Sequence, residues 1–302
     1  MADTPTLQVK QLTIKDAIVE LEIARKSTVV SYMATQEALI EPQDAALLVD
    51  AIEQVVPGPG QKIAKLDLFL QSPGGFLDAA YKLVRICKDY AVEFNVIVPL
   101  AAKSAATVIC LGAHEIVMTS LAELGPIDPI IQHPFRPEIR VPARSIKDFF
   151  TFMSTADTTQ APIDKGFKDA MAERLDPYLL GSYQTALESS KQVAELLLSE
   201  GPLKDDKVKI VAAVKELTER YASHGFVIDR NRAKEIGLPV TKAEDDAPTS
   251  LAIRQLMQVY SQFMGANRMI KLVGNRESNR TLQVAPSMVG NSGAPTAAKF
   301  QL

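Results

Sequence analysis

LDLFLQSPGGFLDAA, residues 66–80, decides the fold. An apolar run rich in Leu and Phe ends on a Ser-Pro-Gly-Gly turn, and a second apolar pattern follows at once. The run reads as a strand buried on both faces, as parallel strands are. Gly74 and Gly75 tolerate positive φ and admit another backbone closely, so the turn can present bare N–H groups to a ligand. From Phe76 to Tyr90 the residues Leu77, Ala80, Leu83, Val84 and Cys87 share one side, the pattern of a helix packed on a sheet.

The unit then repeats. FNVIVPL, residues 94–100, is a second strand, and KSAAT at 103–107 opens the apolar helix SAATVICLGA. Ser104 therefore falls at a helix N-terminus, where unpaired N–H groups and the positive dipole end favour negative charge. SPGG is a common turn and a serine at a helix start is often only an N-cap, so neither corner alone marks a site. Together they place two corners at the carboxyl ends of neighbouring strands, where open α/β sheets bind ligands. A hydroxyl facing backbone N–H donors is what acyl transfer requires, because those donors stabilise the developing oxyanion.

These residues resemble the Clp protease and crotonase superfamily, whose members carry an SPGG oxyanion turn and, in the protease branches, a serine downstream of it. The interval from Gly75 to Ser104 is 29 residues. Within the superfamily the chain is most similar to the serine dehydrogenase proteinase branch, related to signal peptide peptidase A. SPGGFLDAA (72–80), KSAAT (103–107), LGPIDP (124–129) and HGFVIDRNRAKEIGLPV (224–240) carry the likeness, which spans residues 25–245. It implies an α/β fold, a Clp/crotonase-like superhelix of strand-strand-helix turns. It also implies a serine peptidase with Ser104 as nucleophile, Gly75 and Ala105 as oxyanion donors, and Gly74 and Phe76 against the substrate.

A serine hydroxyl is a poor nucleophile until a neighbour accepts its proton, so a base is needed. Three histidines exist. His114, just past the Ser104 helix, reads as a capping or surface residue. His133 lies 29 positions after Ser104, near the interval at which Clp proteases carry their histidine. His224 stands where Clp-type triads place an acid, so the Ser-His-Asp order is not reproduced. Signal peptide peptidase relatives use a lysine, for which Lys147 is the counterpart here. Side chains adjacent in sequence diverge, so Lys103 is read as an electrostatic or structural residue. Asp128 reads either as the orienter of a histidine or as a turn residue before Pro129.

Composition agrees with this picture. A chain of 302 residues with 47% hydrophobic content suffices for a large domain. A net charge of −3 without a basic block argues against nucleic acid. Apolar stretches such as Phe94 to Ala102 fall far short of the roughly 20 residues that span a bilayer, and the first residues show no secretory pattern. Cys87 and Cys110 sit in apolar helical patterns as core residues, so a cytoplasmic setting is expected. No cofactor is expected. A peptide or protein is the expected substrate, and a homo-oligomer the expected assembly. No Walker phosphate loop is present, so any ATPase would be a separate protein. Two other readings keep the fold: a noncatalytic oligomeric scaffold, and an acyl-CoA thioester enzyme of crotonase type.

Along the chain, residues 1–25 form a lead-in and 26–163 the α/β core. Prolines from Pro126 to Pro162 suggest a loop wall with one short helix at 145–153. Residues 164–222 read as a helical arm and 223–245 as a segment returning to the core. A helix is expected within 246–274, and an Asn-, Ser-, Gly- and Pro-rich disordered tail over 275–302.

Overall fold

The computed structural model describes residues 12–133, 136–155, 164–173, 177–201 and 203–283. The first half alternates strands and helices. α1 (Ile14–Arg25) leads to β1 (Thr28–Ala34), α2 (Asp44–Glu53), β2 (Ile63–Gln71), α3 (Leu77–Tyr90) and β3 (Ala91–Val98). Then come β4 (Ala101–Ala102), α4 (Ala105–Leu111), β5 (Ile116–Met118) and β6 (Glu123–Leu124). β7 (Ile130–His133) and β8 (Arg136–Pro142) precede α5 (Arg144–Thr155), α6 (Lys165–Ala172), α7 (Pro177–Ser199) and α8 (Lys207–Lys215). A π-helical turn, Glu216–Arg220, extends α8. The chain closes with β9 (Ile228–Asp229), α9 (Arg230–Glu235), β10 (Val240–Lys242), α10 (Ala247–Ala266), β11 (Met269–Gly274) and β12 (Asn279–Gln283).

Seven strands form the main sheet in the order β10-β5-β3-β2-β1-β11-β12. The run from β10 to β1 is parallel, whereas β11 and β12 add antiparallel at the edge. A short second layer, β4-β6-β9, sits beyond the carboxyl ends of the parallel strands. Single bridges continue it, Ser72 to Ala102 and Ile40 to Gly75. A long strand, a short one in the second layer and a helix make each turn, which is the expected strand-strand-helix α/β architecture.

The parallel strands are buried on both faces. Val30, Tyr32, Leu66, Leu68, Phe94 and Val96 enter one core, roofed by α2, α3 and α4 and flanked by α7 and α8. Val29, Met33, Phe69 and Ile97 enter the other, closed by Ile18 and Leu21 of α1 and by Ile253, Leu256 and Tyr260 of α10. Alternation along each strand puts successive side chains into opposite cores, so a one-residue slip would exchange both sets.

Several segments differ from the sequence expectation. Met269–Gln283 forms a β-hairpin, where a helix and a disordered tail were expected. The burst of buried residues in β11 is too short to outweigh the polar residues around it. The proline-rich wall contains the hairpin β7–β8 as well as a helix, because its prolines fall at strand ends and an edge. The lead-in includes α1, capped by Thr13 and Asp16 in a reciprocal capping box. The expected tail beyond residue 283 lies outside the described residues. No helix among the described residues is long and apolar enough to cross a membrane.

One buried polar network ties α1 to the sheet. Asp67, fully buried on β2, accepts from Arg25 Nε (2.8 Å), Ser27 Oγ (2.8 Å) and Asn95 Nδ2 (3.1 Å). Arg25 also reaches Glu115 Oε2 at 2.6 Å, and Thr241 donates to Glu115 Oε1 at 2.7 Å. Burial raises the Glu115 pKa, but the bonds from Arg25 and Thr241 outweigh it and hold the carboxyl below its ordinary value. Glu115→Gln is expected to lower stability at pH 7 by about 1–2 kcal/mol, read from urea midpoints. A depressed folded-state pKa makes this contribution complete above the unfolded value of about 4.3 and loses it as pH falls through the lower folded value. Parent and variant midpoints should therefore converge in acid.

Candidate active site

The two corners meet as the sequence implied. Ser72 donates its N–H to Ala101 O (2.9 Å) and accepts from Lys103 N (3.0 Å), which stitches the SPGG turn to the strand entering Ser104. A Cβ on Gly74 would lie 2.7 Å from both Lys103 O and Ser104 Cβ, so only glycine lets the two backbones come this close. Gly74 also takes φ +107, a region that side chains disfavour.

Both glycine N–H groups were expected to be bare, and one is not. Gly74 N–H donates to Ser72 Oγ at 3.1 Å inside the turn. Gly75 sits in a parallel bridge with Ile40, which donates to Gly74 O (2.8 Å) and accepts from Phe76 N (2.9 Å). That pattern turns the N–H of Gly75 away from Ile40, and it has no acceptor among the described residues. The side chain of Phe76 remains about half exposed, at 54%.

Ser104 is not a conventional cap. Its backbone lies at φ 51, ψ −118, and its side chain makes no capping bond. A non-glycine residue there is strained, by about 1–3 kcal/mol, and the hydroxyl has no hydrogen bond among the described residues. Ala105, the first residue of α4, has an N–H with no acceptor among the described residues. Two bare N–H groups and a free hydroxyl are thus gathered where the chain passes from β4 into α4.

Lys103 is the joint of the site. Its Nζ donates to Leu124 O (3.3 Å) and Phe226 O (3.2 Å) and pairs with Glu123 Oε1 (3.1 Å). The serine corner, the LGPIDP segment and the returning HGFVI segment are therefore held by one ammonium. Thr107 adds to the clasp, donating to Ala102 O (2.7 Å) and accepting from Gly125 N (3.0 Å). Gly125 packs on Lys103, since a Cβ there would meet Lys103 Cδ at 2.9 Å.

On the two segments so joined, His224 Nδ1 lies 2.7 Å from Asp128 Oδ1. Asp128 is 4% exposed and the histidine partly exposed, so the carboxylate is inside and the ring reaches outward. An ionised carboxylate can only accept, so a neutral imidazole in this contact carries its proton on Nδ1 and has its lone pair on Nε2. Tyr221 and Phe226 stack at 4.2 Å across the base of the histidine loop, and Arg232 Nε donates to Tyr221 OH at 3.1 Å. The turn reading of Asp128 thus gives way to the reading as a histidine partner. The signal in sequence was only the LGPIDP motif, 96 residues from its mate.

The other candidates make no described contact with this pair. His114 is exposed and its Nδ1 meets the backbone of Phe94, consistent with a surface role. His133 lies in β7 and Lys147 in α5, with side chains outside the described residues.

A family model, that of the ClpP-like SDH-type serine proteinases, matches residues 1–284. The chain belongs to this family. Two uncharacterized proteins of Methanocaldococcus jannaschii are similar along most of their length. One is 28% identical over 272 residues (85% of this chain, 82% of the relative), the other 27% over 259 residues (82% and 76%). Among solved structures, a variant of the 1510-N membrane-bound stomatin-specific protease with a substrate peptide overlaps 70% of this chain and 73% of its own at TM-score 0.41 and 14% identity. An enoyl-CoA hydratase of Streptomyces coelicolor A3(2) overlaps 85% and 76% at TM-score 0.34 and 13% identity.

In this member of the family the strain at Ser104 has a measurable consequence. Ser104→Gly relieves the backbone whereas Ser104→Ala does not. The glycine variant is expected to be about 1–2 kcal/mol more stable than the alanine variant in equilibrium urea unfolding. Equal stabilities would mean that the corner relaxes without its hydroxyl.

Proposed function

We propose that the protein is a serine peptidase that cleaves peptide bonds through an acyl-enzyme on Ser104. Ser104 Oγ attacks the carbonyl carbon while its proton passes to His224 Nε2. The carbonyl oxygen becomes an oxyanion and accepts from the N–H groups of Gly75 and Ala105. Collapse of the tetrahedral intermediate breaks the C–N bond, and His224 returns the proton to the departing amine. Water then attacks the acyl-serine as His224 takes its proton, and His224 returns that proton to Ser104 Oγ as the C–O bond breaks and the acid leaves. Asp128 keeps the ring in the tautomer that accepts at Nε2 and stabilises the imidazolium formed in each half.

The observation that carries this reading is the pairing of buried Asp128 with partly exposed His224, joined through Lys103 to a strained serine whose hydroxyl has no hydrogen bond among the described residues. Ser104 and His224 are not hydrogen bonded to each other here, and such contacts commonly tighten only when substrate is bound. The chain has acid and histidine in the reverse of the Clp order. A triad is defined by geometry and role rather than by sequence order. A scaffold would have no use for the pair, and a thioester enzyme of crotonase type would have none for the strained hydroxyl. Assembly with like chains and substrates of peptide or protein character belong to the same reading.

A fluorophosphonate probe is expected to label Ser104 alone, located by mass spectrometry, and Ser104→Ala should abolish labelling. His224→Ala is expected to slow labelling by about 100- to 10,000-fold, and Asp128→Ala should slow it substantially. His133→Ala and Lys147→Ala should label at parental rates. Labelling that survives His224→Ala but fails with Lys147→Ala would move the base to the lysine. No labelling of the intact parent would favour the scaffold.

A further inference from the structure

The C-terminal hairpin carries a buried lysine, and its position bears on the oxyanion turn. Lys271, on β11, is only 1% exposed. Its Nζ donates to Leu39 O at 2.7 Å and meets both oxygens of Asp44 at 2.9 Å. Asp44 is fully buried and takes two further bonds, from Tyr32 OH at 2.6 Å and from Glu41 N at 2.8 Å. Burial first, and the adjacent Asp44 second, push the Tyr32 phenol well above its ordinary pKa, so it remains a donor to that carboxylate. The Lys271–Asp44 pair therefore grips the backbone on both sides of Ile40: Leu39 through its carbonyl and Glu41 through its N–H.

Ile40 is the residue that shapes the SPGG turn. Its N–H and C=O hold Gly74 O and Phe76 N, which leaves the N–H of Gly75 as the outward donor. A Cβ at Gly75 would lie 2.3 Å from Ile40 N and O, so the two strands are in the closest contact their backbones permit. A shift of the 39–41 segment would be passed directly to the turn, because no side chain lies between them to absorb it. Two packed backbones with fixed hydrogen bonds transmit displacement more faithfully than a side-chain contact does.

We propose that Lys271 is a positioning residue for the oxyanion hole: from the C-terminal hairpin it fixes Leu39–Glu41, and through Ile40 the direction of the Gly75 N–H. The inference rests on the serine peptidase reading. A lysine this deep is costly to bury unless paired, and a hydrophobic pair of similar volume would stabilise the core as well or better. What an apolar pair cannot do is hold the Leu39 carbonyl, the bond by which Nζ reaches the 39–41 backbone directly. The hairpin is thereby a part of the site rather than an appendage on the sheet edge.

The test uses the full chain carrying Asp44→Asn together with Lys271→Met. Lys271→Met alone would strand a buried carboxylate and risk the fold. In the double variant the amide oxygen at position 44 can still accept from Tyr32 and from Glu41 N, while the Nζ bonds to Leu39 O and to position 44 are lost together without leaving an unpaired charge. With a p-nitrophenyl acyl ester as substrate, kcat is expected to fall about 100-fold, the scale of a displacement near 1 Å, with KM within about twofold. Hydrogen exchange should quicken at the amides of Ile40 and Phe76 while those of Leu66 to Leu70 in β2 stay protected. Parental kcat and parental protection at Ile40 and Phe76 would overturn the proposal, even with Ser104 still labelled by a fluorophosphonate. Loss of protection throughout β2 would also overturn it, by reducing Lys271 to a general stabiliser. If the parent neither labels nor turns over the ester, the peptidase reading fails, and exchange at Ile40 and Phe76 alone decides whether Lys271 shapes the turn.

Discussion

The backbone of Ser104 is held at φ 51, ψ −118, and the surrounding structure is arranged to keep it there. A residue left to itself would leave that region for one costing about 1–3 kcal/mol less. It is held from before by Lys103, whose N–H donates to Ser72 O, and from after by Ala106 N and Val108 N, which donate to Lys103 O and Ser104 O at 2.8 and 3.2 Å. The corner also needs room. Gly74 and Gly125 supply it by lacking a Cβ where each faces residues 103 and 104. The site is built as much from two missing methyl-sized groups as from the groups it displays.

Strain of this kind aims a side chain. An ordinary N-cap serine turns its oxygen back onto the helix and spends it on a backbone N–H. At Ser104 the backbone rotates the side chain out of that position, and both the hydroxyl and the Ala105 N–H stay available. The resemblance between a capping serine and a nucleophile at the sequence level is therefore broken by one pair of dihedral angles. A strand-to-helix turn that exposes Oγ in this way is a known solution for nucleophiles.

What the sequence made legible was local. The strand, turn and helix from Leu66 to Tyr90, and the repeat ending in α4, could be read because apolar period and glycine placement are properties of neighbouring residues. While the pairing of Gly75 with Ala105 as donors came from the family resemblance, the same logic set the SPGG turn against the Ser104 helix start. It overcounted donors at Gly74, because nothing in SPGG reveals that Ser72 Oγ folds back onto that N–H. The contacts that complete the site are distant. Asp128 and His224 are 96 residues apart, and Lys271 and Asp44 are 227 apart. IKLVG at 270–274 shows only one polar residue in an apolar run, and in isolation such a lysine reads as an edge-strand charge facing water. Only the fold, by placing β11 beside β1, turns it inward onto Asp44.

Lys103, adjacent to Ser104, and Lys271, buried under the 39–41 segment, both spend their hydrogens on structure. An ammonium has three hydrogens to donate. At Lys103 they have three acceptors: Leu124 O, Phe226 O and Glu123 Oε1. Lys271 divides its own between Leu39 O and the two oxygens of Asp44. With their hydrogens directed at these acceptors, each acts as a strut between backbone segments. One strut sets the serine corner against the histidine loop, and the other sets the turn that carries the Gly75 N–H. In the proposed serine peptidase reading, proton transfer is instead assigned to His224, whose Nδ1 is engaged by Asp128.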